Sequence, residues 1–156
     1  MTAGLVAPRV AAGDGAVADW TVLVYAAHDN NLETSLYGDL VEMGKHSGRV
    51  NFVVYVDRAI DEQPPLDEDW LGLAKFSDTK VFKVTGDGVS DVQELGETYS
   101  MDPSSLAWFI GDSLARYPAH QTMLVMSDHG GGPVAAFGTK ESDTEEGDAK
   151  ARNTLQ

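Results

Sequence analysis

The segment Thr21-Val-Leu-Val-Tyr25 is a short run of apolar and β-branched residues, typical of a strand that is buried on both faces of a sheet. Two similar runs follow, at Val50-Asn-Phe-Val-Val-Tyr-Val56 and Gln121-Thr-Met-Leu-Val-Met126. Between the first two strands, apolar residues at helical spacing predict a helix near 32–43. A strand, a helix and a second strand of these lengths form a right-handed βαβ unit, so the first two strands are predicted to be parallel.

The first predicted helix has an apolar stripe and recognisable end signals. The stripe consists of Leu32, Leu36, Leu40 and Met43. Asn30 or Asn31 is expected to cap the start of the helix, because a side-chain oxygen there can accept a free backbone N–H. Gly44 or Gly48 is expected to end it.

The second helix is predicted over 103–116. Asp102-Pro103 is a helix-start signal, since the acidic residue can cap the helix and Pro at the first helical position loses no hydrogen bond. Pro118 is expected to close the helix. The side chains expected to face the core are Leu106, Phe109, Ile110, Leu114 and Tyr117.

The stretch between the second strand and the second helix is less regular. Residues 59–70 are rich in Pro and acidic residues and predict a loop. Residues 71–84 alternate between apolar and polar, which favours a β-hairpin or an edge-strand excursion, and Gly86-Asp87-Gly88 is expected to turn the chain. These elements together predict an α/β fold of three layers with a mostly parallel central sheet.

One domain with flexible ends is expected along the chain. Residues 1–19 predict a flexible leader and no signal peptide, because polar residues and Pro8 interrupt any apolar stretch. Residues 20–138 are expected to form the domain, and 139–156 an acidic, mobile tail or linker. A cytoplasmic location is therefore expected rather than a secreted one. No apolar run approaches the roughly 18 residues of a membrane span.

Charge and cysteine content exclude several functions. The chain has 156 residues and a formal net charge of −14, from 25 acidic and 11 basic side chains. Such a surface argues against nucleic acid and anionic membranes as partners, and it favours basic peptides or divalent cations. The chain contains no cysteine. Disulfides, thiolate zinc sites and a Cys nucleophile within the chain are thereby excluded.

Polar side chains follow each of the three predicted strands, at His28-Asp29, Asp57-Arg58 and Asp128-His129. The carboxyl ends of parallel strands meet at one edge of a sheet, where α/β proteins collect their functional groups. His129 is followed by three glycines, 130–132. An imidazole can act as general base near neutral pH, and a free backbone N–H can hold a developing oxyanion. His129 and the Gly130 amide thus supply two parts of a hydrolytic site that lacks its nucleophile.

Six segments in order along the chain carry a more specific signal: Trp20-Thr-Val-Leu-Val-Tyr-Ala-Ala-His-Asp-Asn-Asn-Leu-Glu33, Asp39-Leu-Val-Glu-Met43, Val53-Val-Tyr-Val-Asp57, Asp102-Pro103, Tyr117-Pro118-Ala119 and Asp128-His-Gly-Gly-Gly132. From Trp20 to about Gly138, the series resembles the first part of the catalytic domain of the clostripain family, the C11 cysteine peptidases. Two positions depart from the family pattern: Pro133 stands where an aromatic residue is frequent, and His28 replaces a small or acidic residue.

The resemblance implies a caspase-like α/β sandwich with a His–Cys dyad. In it, His129 is the catalytic histidine and Gly130 donates its amide to the oxyanion hole. The family cleaves after Arg or Lys, so the implied substrate is a peptide that contains basic residues. The Cys-bearing remainder of the peptidase would come from a second chain or a downstream segment. Alone, the chain is expected to be inactive and to expose an apolar strand edge.

Alternatives stay open from the residues themselves. A non-catalytic remnant or binding module would keep the fold without the chemistry, and the glycine run could bind phosphate, although it lacks the Lys-Ser/Thr of a P-loop. A calcium site built from His28, Asp29, Asp57 and Asp128 is possible, because carboxylate oxygens suit calcium, but no ligand spacing supports it.

Three residues near the strand ends are expected to have minor roles. His28 is interpreted as an ordinary turn residue. Ser127 lies on a strand and not at a strained elbow, which makes it a poor nucleophile. Asp128 is a poor candidate for orienting the His129 ring, because neighbouring side chains at a strand end point apart.

Overall fold

The computed structural model describes residues 17–28, 32–58 and 71–129. Three strands and two helices correspond to the predicted elements, and a hairpin lies between them. In chain order the elements are β1 (Ala18–His28), α1 (Glu33–Lys45), β2 (Val50–Arg58), β3 (Thr79–Thr85), β4 (Gly88–Gly96), α2 (Pro103–Arg116) and β5 (Ala119–Ser127).

The five strands form one sheet in the order β4-β3-β2-β1-β5. β1 pairs in parallel with β2 on one side and with β5 on the other, whereas β2 with β3 and β3 with β4 are antiparallel. Only β3 therefore runs against the direction of the other strands in this sheet of the described chain. The predicted α/β fold with a mostly parallel sheet is confirmed.

Both faces of β1 are buried, as its apolar sequence predicts. Val22, Val24 and Ala26 pack on the face that Leu36 and Leu40 of α1 cover. The alternate residues Leu23 and Tyr25 pack on the other face with Phe109 and Tyr117, at and just after α2. Each fully buried side chain of this size contributes about 1.5–3 kcal/mol to stability. The helices thus form the two outer layers of a three-layer domain.

The strands extend beyond their predicted ends. β1 was predicted over 21–25 and spans Ala18–His28, since Ala26 and Ala27 are small, fully buried residues that continue the pairing with β2. The interpretation of His28 as a turn residue is therefore wrong: it is the last residue of β1. β2 likewise reaches Arg58, and β5 spans Ala119–Ser127.

Helix α1 has the predicted stripe but different ends. Leu32 occupies the N-cap position and makes no side-chain capping bond, so the prediction of an Asn cap is wrong; Asn30 and Asn31 lie outside the described residues. The helix continues through Gly44 to Lys45. A Cβ atom on Gly44 would lie 3.0 Å from the backbone oxygen of Thr85. This glycine therefore permits close packing of α1 on the end of β3, and it does not end the helix.

Helix α2 has the predicted bounds and cap. The Asp102 carboxylate accepts a hydrogen bond of 2.8 Å from the Ser104 backbone N–H, and Pro103 occupies the first turn. The prediction that Leu114 faces the core is wrong, because its side chain is 41% exposed. Ser105 and Ser113 are buried instead, four residues on either side of the buried Phe109.

The predicted hairpin is present, but it starts later than expected. β3 and β4 are antiparallel around a turn at residues 86–87, and β3 begins at Thr79 rather than near Leu71. Of the predicted leader, residues 17–19 are described, and β1 begins within them at Ala18. The predicted tail 139–156 lies outside the described residues. Neither helix of the described part has the length and apolar character needed to cross a membrane.

Two glycines of α1 give a matched test of this packing. Gly38→Ala places its Cβ in open space and should raise the free energy of unfolding by up to about 1 kcal/mol, the helix-propensity difference. Gly44→Ala has the same propensity gain, but the contact with the Thr85 carbonyl costs about 1–3 kcal/mol of overpacking. Urea unfolding should give Gly44→Ala a lower free energy of unfolding than Gly38→Ala. Equal gains would contradict the close approach.

Candidate active site

The carboxyl ends of β1, β2 and β5 lie side by side at one edge of the sheet. In register, His28 is opposite Arg58 on one side of β1, and Ala26 is opposite Ser127 on the other. Asp128 and His129 follow directly after β5. The predicted meeting of three strand ends is therefore present.

His28 is more deeply buried than Asp128 and His129, the titratable residues that follow β5. Its side chain is 3% exposed, and its Nε2 lies 2.8 Å from the Ser127 hydroxyl oxygen. Burial lowers the pKa of His28 to about 4, and the position of His129 adds to this effect. The negative charges of Asp128 and Asp39 oppose the shift without overcoming it. The imidazole of His28 is therefore uncharged at neutral pH.

The end of β2 is occupied by internal polar contacts. The Arg58 guanidinium, 3% exposed, pairs with the Glu33 carboxylate and lies 4.7 Å from the centre of the Phe76 ring. Asp57 is fully buried and accepts a hydrogen bond of 2.7 Å from the Thr79 hydroxyl. Both side chains thus anchor β2 to neighbouring elements, and sequence reasoning gave neither of them this role.

The Asp57 contact continues into a chain of buried hydroxyl groups. Thr79 lies 2.8 Å from the hydroxyl of Thr98, which in turn lies 2.6 Å from the hydroxyl of Tyr55. The Tyr55 ring stacks on the Tyr25 ring at 4.2 Å, and the Tyr25 hydroxyl donates to the Ser100 carbonyl. This network ties the strand ends to the segment that leads into α2.

His129 lies at the partly exposed side of the edge. Its backbone N–H donates a hydrogen bond of 2.6 Å to Oδ1 of Asp128. This bond constrains the backbone between Asp128 and His129. That Asp128 does not orient the ring stays a prediction.

Three of the four candidate calcium ligands lie within the described residues, and there they form no metal-binding group. His28, Asp57 and Asp128 belong to no group of three or more His, Asp or Glu side chains that could hold a metal ion within residues 17–28, 32–58 and 71–129. Asp29, the fourth candidate, lies outside the described residues, and so does Gly130.

Taken together, the fold and the edge define a three-layer α/β protein with a partly exposed histidine at the carboxyl end of a parallel strand. The clostripain family matches residues 24–142. Clostripain of Hathewaya histolytica is 35% identical over 126 residues, which is 72% of this chain and 23% of that protein. The chain belongs to the clostripain family, and it spans about a quarter of the length of this relative. Homology to clostripain supports peptidase function in general.

Two solved structures share the fold. A cysteine protease of B. fragilis aligns with a TM-score of 0.58 at 20% identity, over 80% of this chain and 99% of that one. A clostripain from Bacteroides thetaiotaomicron, in complex with the peptide inhibitor BTN-VLTK-AOMK, aligns with a TM-score of 0.51 at 11% identity. That alignment covers 82% of this chain and all of the other.

The buried imidazole of His28 predicts a specific pH dependence of stability. The folded pKa of about 4 lies below the ordinary 6.5, so the unfolded chain binds the proton first. The contribution of the neutral His28 ring to the free energy of unfolding should therefore be fully present above pH 6.5. It should decrease by about 3 kcal/mol as the pH falls to about 4.

Urea unfolding at several pH values checks this dependence. His28→Gln should remove that part of the slope between pH 6.5 and 4, whereas the same change at the exposed His46 should leave it in place. An unchanged slope in His28→Gln would show that His28 does not titrate in this way.

Proposed function

We propose that this chain supplies the catalytic histidine, His129, of a cysteine endopeptidase that cleaves peptides after Arg or Lys. The observation that carries the proposal is that, in a clostripain-family chain without cysteine, Asp128-His129 directly follows a parallel strand. A Cys-bearing part, in a second chain or a downstream segment, completes the active site.

The chemistry divides between the two parts. The thiol of the Cys-bearing part gives its proton to the His129 imidazole, and the sulfur attacks the carbonyl carbon of the peptide bond. The Gly130 amide stabilises the oxyanion of the tetrahedral intermediate. His129 then protonates the leaving amine, and a water molecule hydrolyses the thioester. The proton transfers require His129 to reach both the thiol and the bound substrate, which suits its partly exposed position.

The outer edge of β5 is where the Cys-bearing part would dock. Within the described sheet, β5 pairs with β1 alone. Its residues Met123, Leu124 and Met126 are 46%, 40% and 42% exposed. By register, Met123 lies on the α1 face and the other two lie on the α2 face, because their partners in β1 do. Apolar side chains are thus exposed on both faces of β5, as expected of a strand that pairs with a further strand.

The opposite edge of the sheet is protected, in contrast to β5. β4 carries the exposed carboxylates of Asp91 and Glu94, and its pairing with β3 is interrupted by two register shifts. Charges and bulges of this kind discourage an edge strand from pairing further. β5 carries no Asp, Glu, Lys or Arg between Ala119 and Ser127. The asymmetry supports pairing of β5 with a further strand.

Self-association of the isolated chain tests the β5 edge. Met123→Lys should weaken it by about 10- to 100-fold, since burial of a Met side chain contributes about 1.5–3 kcal/mol. Val92→Lys, a comparable exposed apolar position on β4, should leave association unchanged. Sedimentation velocity measures both. A parent chain that is monomeric and folds cooperatively by itself would contradict the proposed docking edge.

Basic peptide substrates fit the charge of the chain. A net charge of −14 attracts cationic peptides and accelerates their encounter with the site. The inhibitor in the B. thetaiotaomicron clostripain complex has a peptide part, VLTK, that ends in Lys. Both observations agree with cleavage after Arg or Lys.

Reconstitution tests the proposed activity. This chain, combined with the Cys-bearing polypeptide, should cleave reporter peptides that end in Arg or Lys, and each part alone should not. His129→Ala should lower kcat by about 10²–10⁴-fold or more, the contribution of a general acid–base group. His120→Ala, an exposed histidine at the opposite end of β5, is the matched control and should retain activity. Full activity of His129→Ala would exclude the assigned role.

The absence of cysteine also favours a second candidate, a non-catalytic remnant or binding module with the same fold. The coding DNA downstream of codon 156 separates the two. A strand that ends in a cysteine, in frame or in an adjacent reading frame, supports the peptidase. Downstream sequence without one supports the remnant.

A further inference from the structure

The proposed chemistry does not use His28, although it lies at the centre of the same edge. It ends β1, between Arg58 of β2 on one side and the end of β5 on the other. Its Nε2 lies 2.8 Å from the Ser127 hydroxyl, and its Nδ1 is buried without a hydrogen-bond partner among the described residues. Within the described chain, the ring's polar contact is therefore with Ser127.

Ser127 is the last residue of β5 that pairs with β1. The paired register of β1 and β5 ends at Ala26 and Ser127, and the His28 contact lies directly beyond it. His129 comes two residues later, and its backbone N–H donates a hydrogen bond to the Asp128 carboxylate. The hydroxyl contact thus fixes the last strand residue before the segment that carries the proposed general base.

The charges around His28 are of both signs, and burial rather than charge keeps its ring neutral. Arg58 is opposite it in β2 and is paired with Glu33 of α1. Asp39 of α1 and Asp128 act on it as anions, whereas His129 acts on it as a cation when protonated. A second proton on His28 would therefore place a positive charge near the imidazole that must accept the thiol proton.

We infer that His28 is a positioning residue: its imidazole holds the Ser127 hydroxyl and thereby fixes the end of β5, two residues before His129. This inference rests on the proposed peptidase function, because the contact is inferred to position His129 as the general base of that peptidase. A misplacement of about 1 Å in a catalytic group can cost about 100-fold in rate, so such a contact has a measurable effect.

The test uses this chain assembled with its Cys-bearing part. His28→Leu and Ser127→Ala should each lower kcat by about tenfold at unchanged KM, since both remove the same contact. The double variant should fall no further than the lower single variant, because the two residues act as one unit. His28→Gln, whose amide can reach the hydroxyl, should restore kcat to within about threefold of the parent. Parent-like kcat in Ser127→Ala, or independent effects that multiply, would overturn the inference.

The NMR signals of the His129 ring distinguish this inference from the proposed function. If the assembled parent protein has no peptidase activity, the proposed function fails, and the ring signals still report the geometry. They should shift or broaden in His28→Leu and Ser127→Ala and return to the parent positions in His28→Gln. Unchanged His129 signals in Ser127→Ala would overturn the positioning role whether or not the protein is active.

Discussion

Parallel pairing of β1 on both sides is the constraint on which the rest of the structure depends. Because β2 and β5 run in the same direction as β1, their carboxyl ends reach one edge, and residues far apart in sequence meet there. The same central position requires apolar residues on both faces of β1, which α1 and α2 then cover. A three-layer core and a polar edge are thus two consequences of one pairing pattern.

The polar edge contains buried groups that make internal contacts and one histidine that is partly exposed. Arg58 forms an ion pair with Glu33, and burial keeps His28 uncharged. Both side chains therefore make contacts within the protein. His129, just past the end of β5, is partly exposed. Family membership gives this arrangement its proposed meaning, since a clostripain-family chain without cysteine can contribute a base but no thiol.

Much of the fold was predictable from the sequence because local signals and tertiary packing agree. Apolar runs predicted the cores of β1, β2 and β5, and Asp102-Pro103 predicted the start of α2. The errors lie where long-range contacts decide. Ala26 and Ala27 resemble a turn as well as a buried strand, so the end of β1 was missed, and with it the contact of His28 to Ser127, 99 positions away. Gly44 resembles a helix end until its packing on Thr85 is known.

We propose that the imidazole of His129 activates a thiol that lies outside this chain. The rate at which iodoacetamide alkylates that thiol in the assembled protein, measured between pH 5 and 9, tests this claim most directly. With the parent chain, the thiol should react as a thiolate well below its ordinary pKa of about 8.5. With His129→Ala, its pH profile should return to that of a free thiol. Identical profiles with both chains would contradict the account.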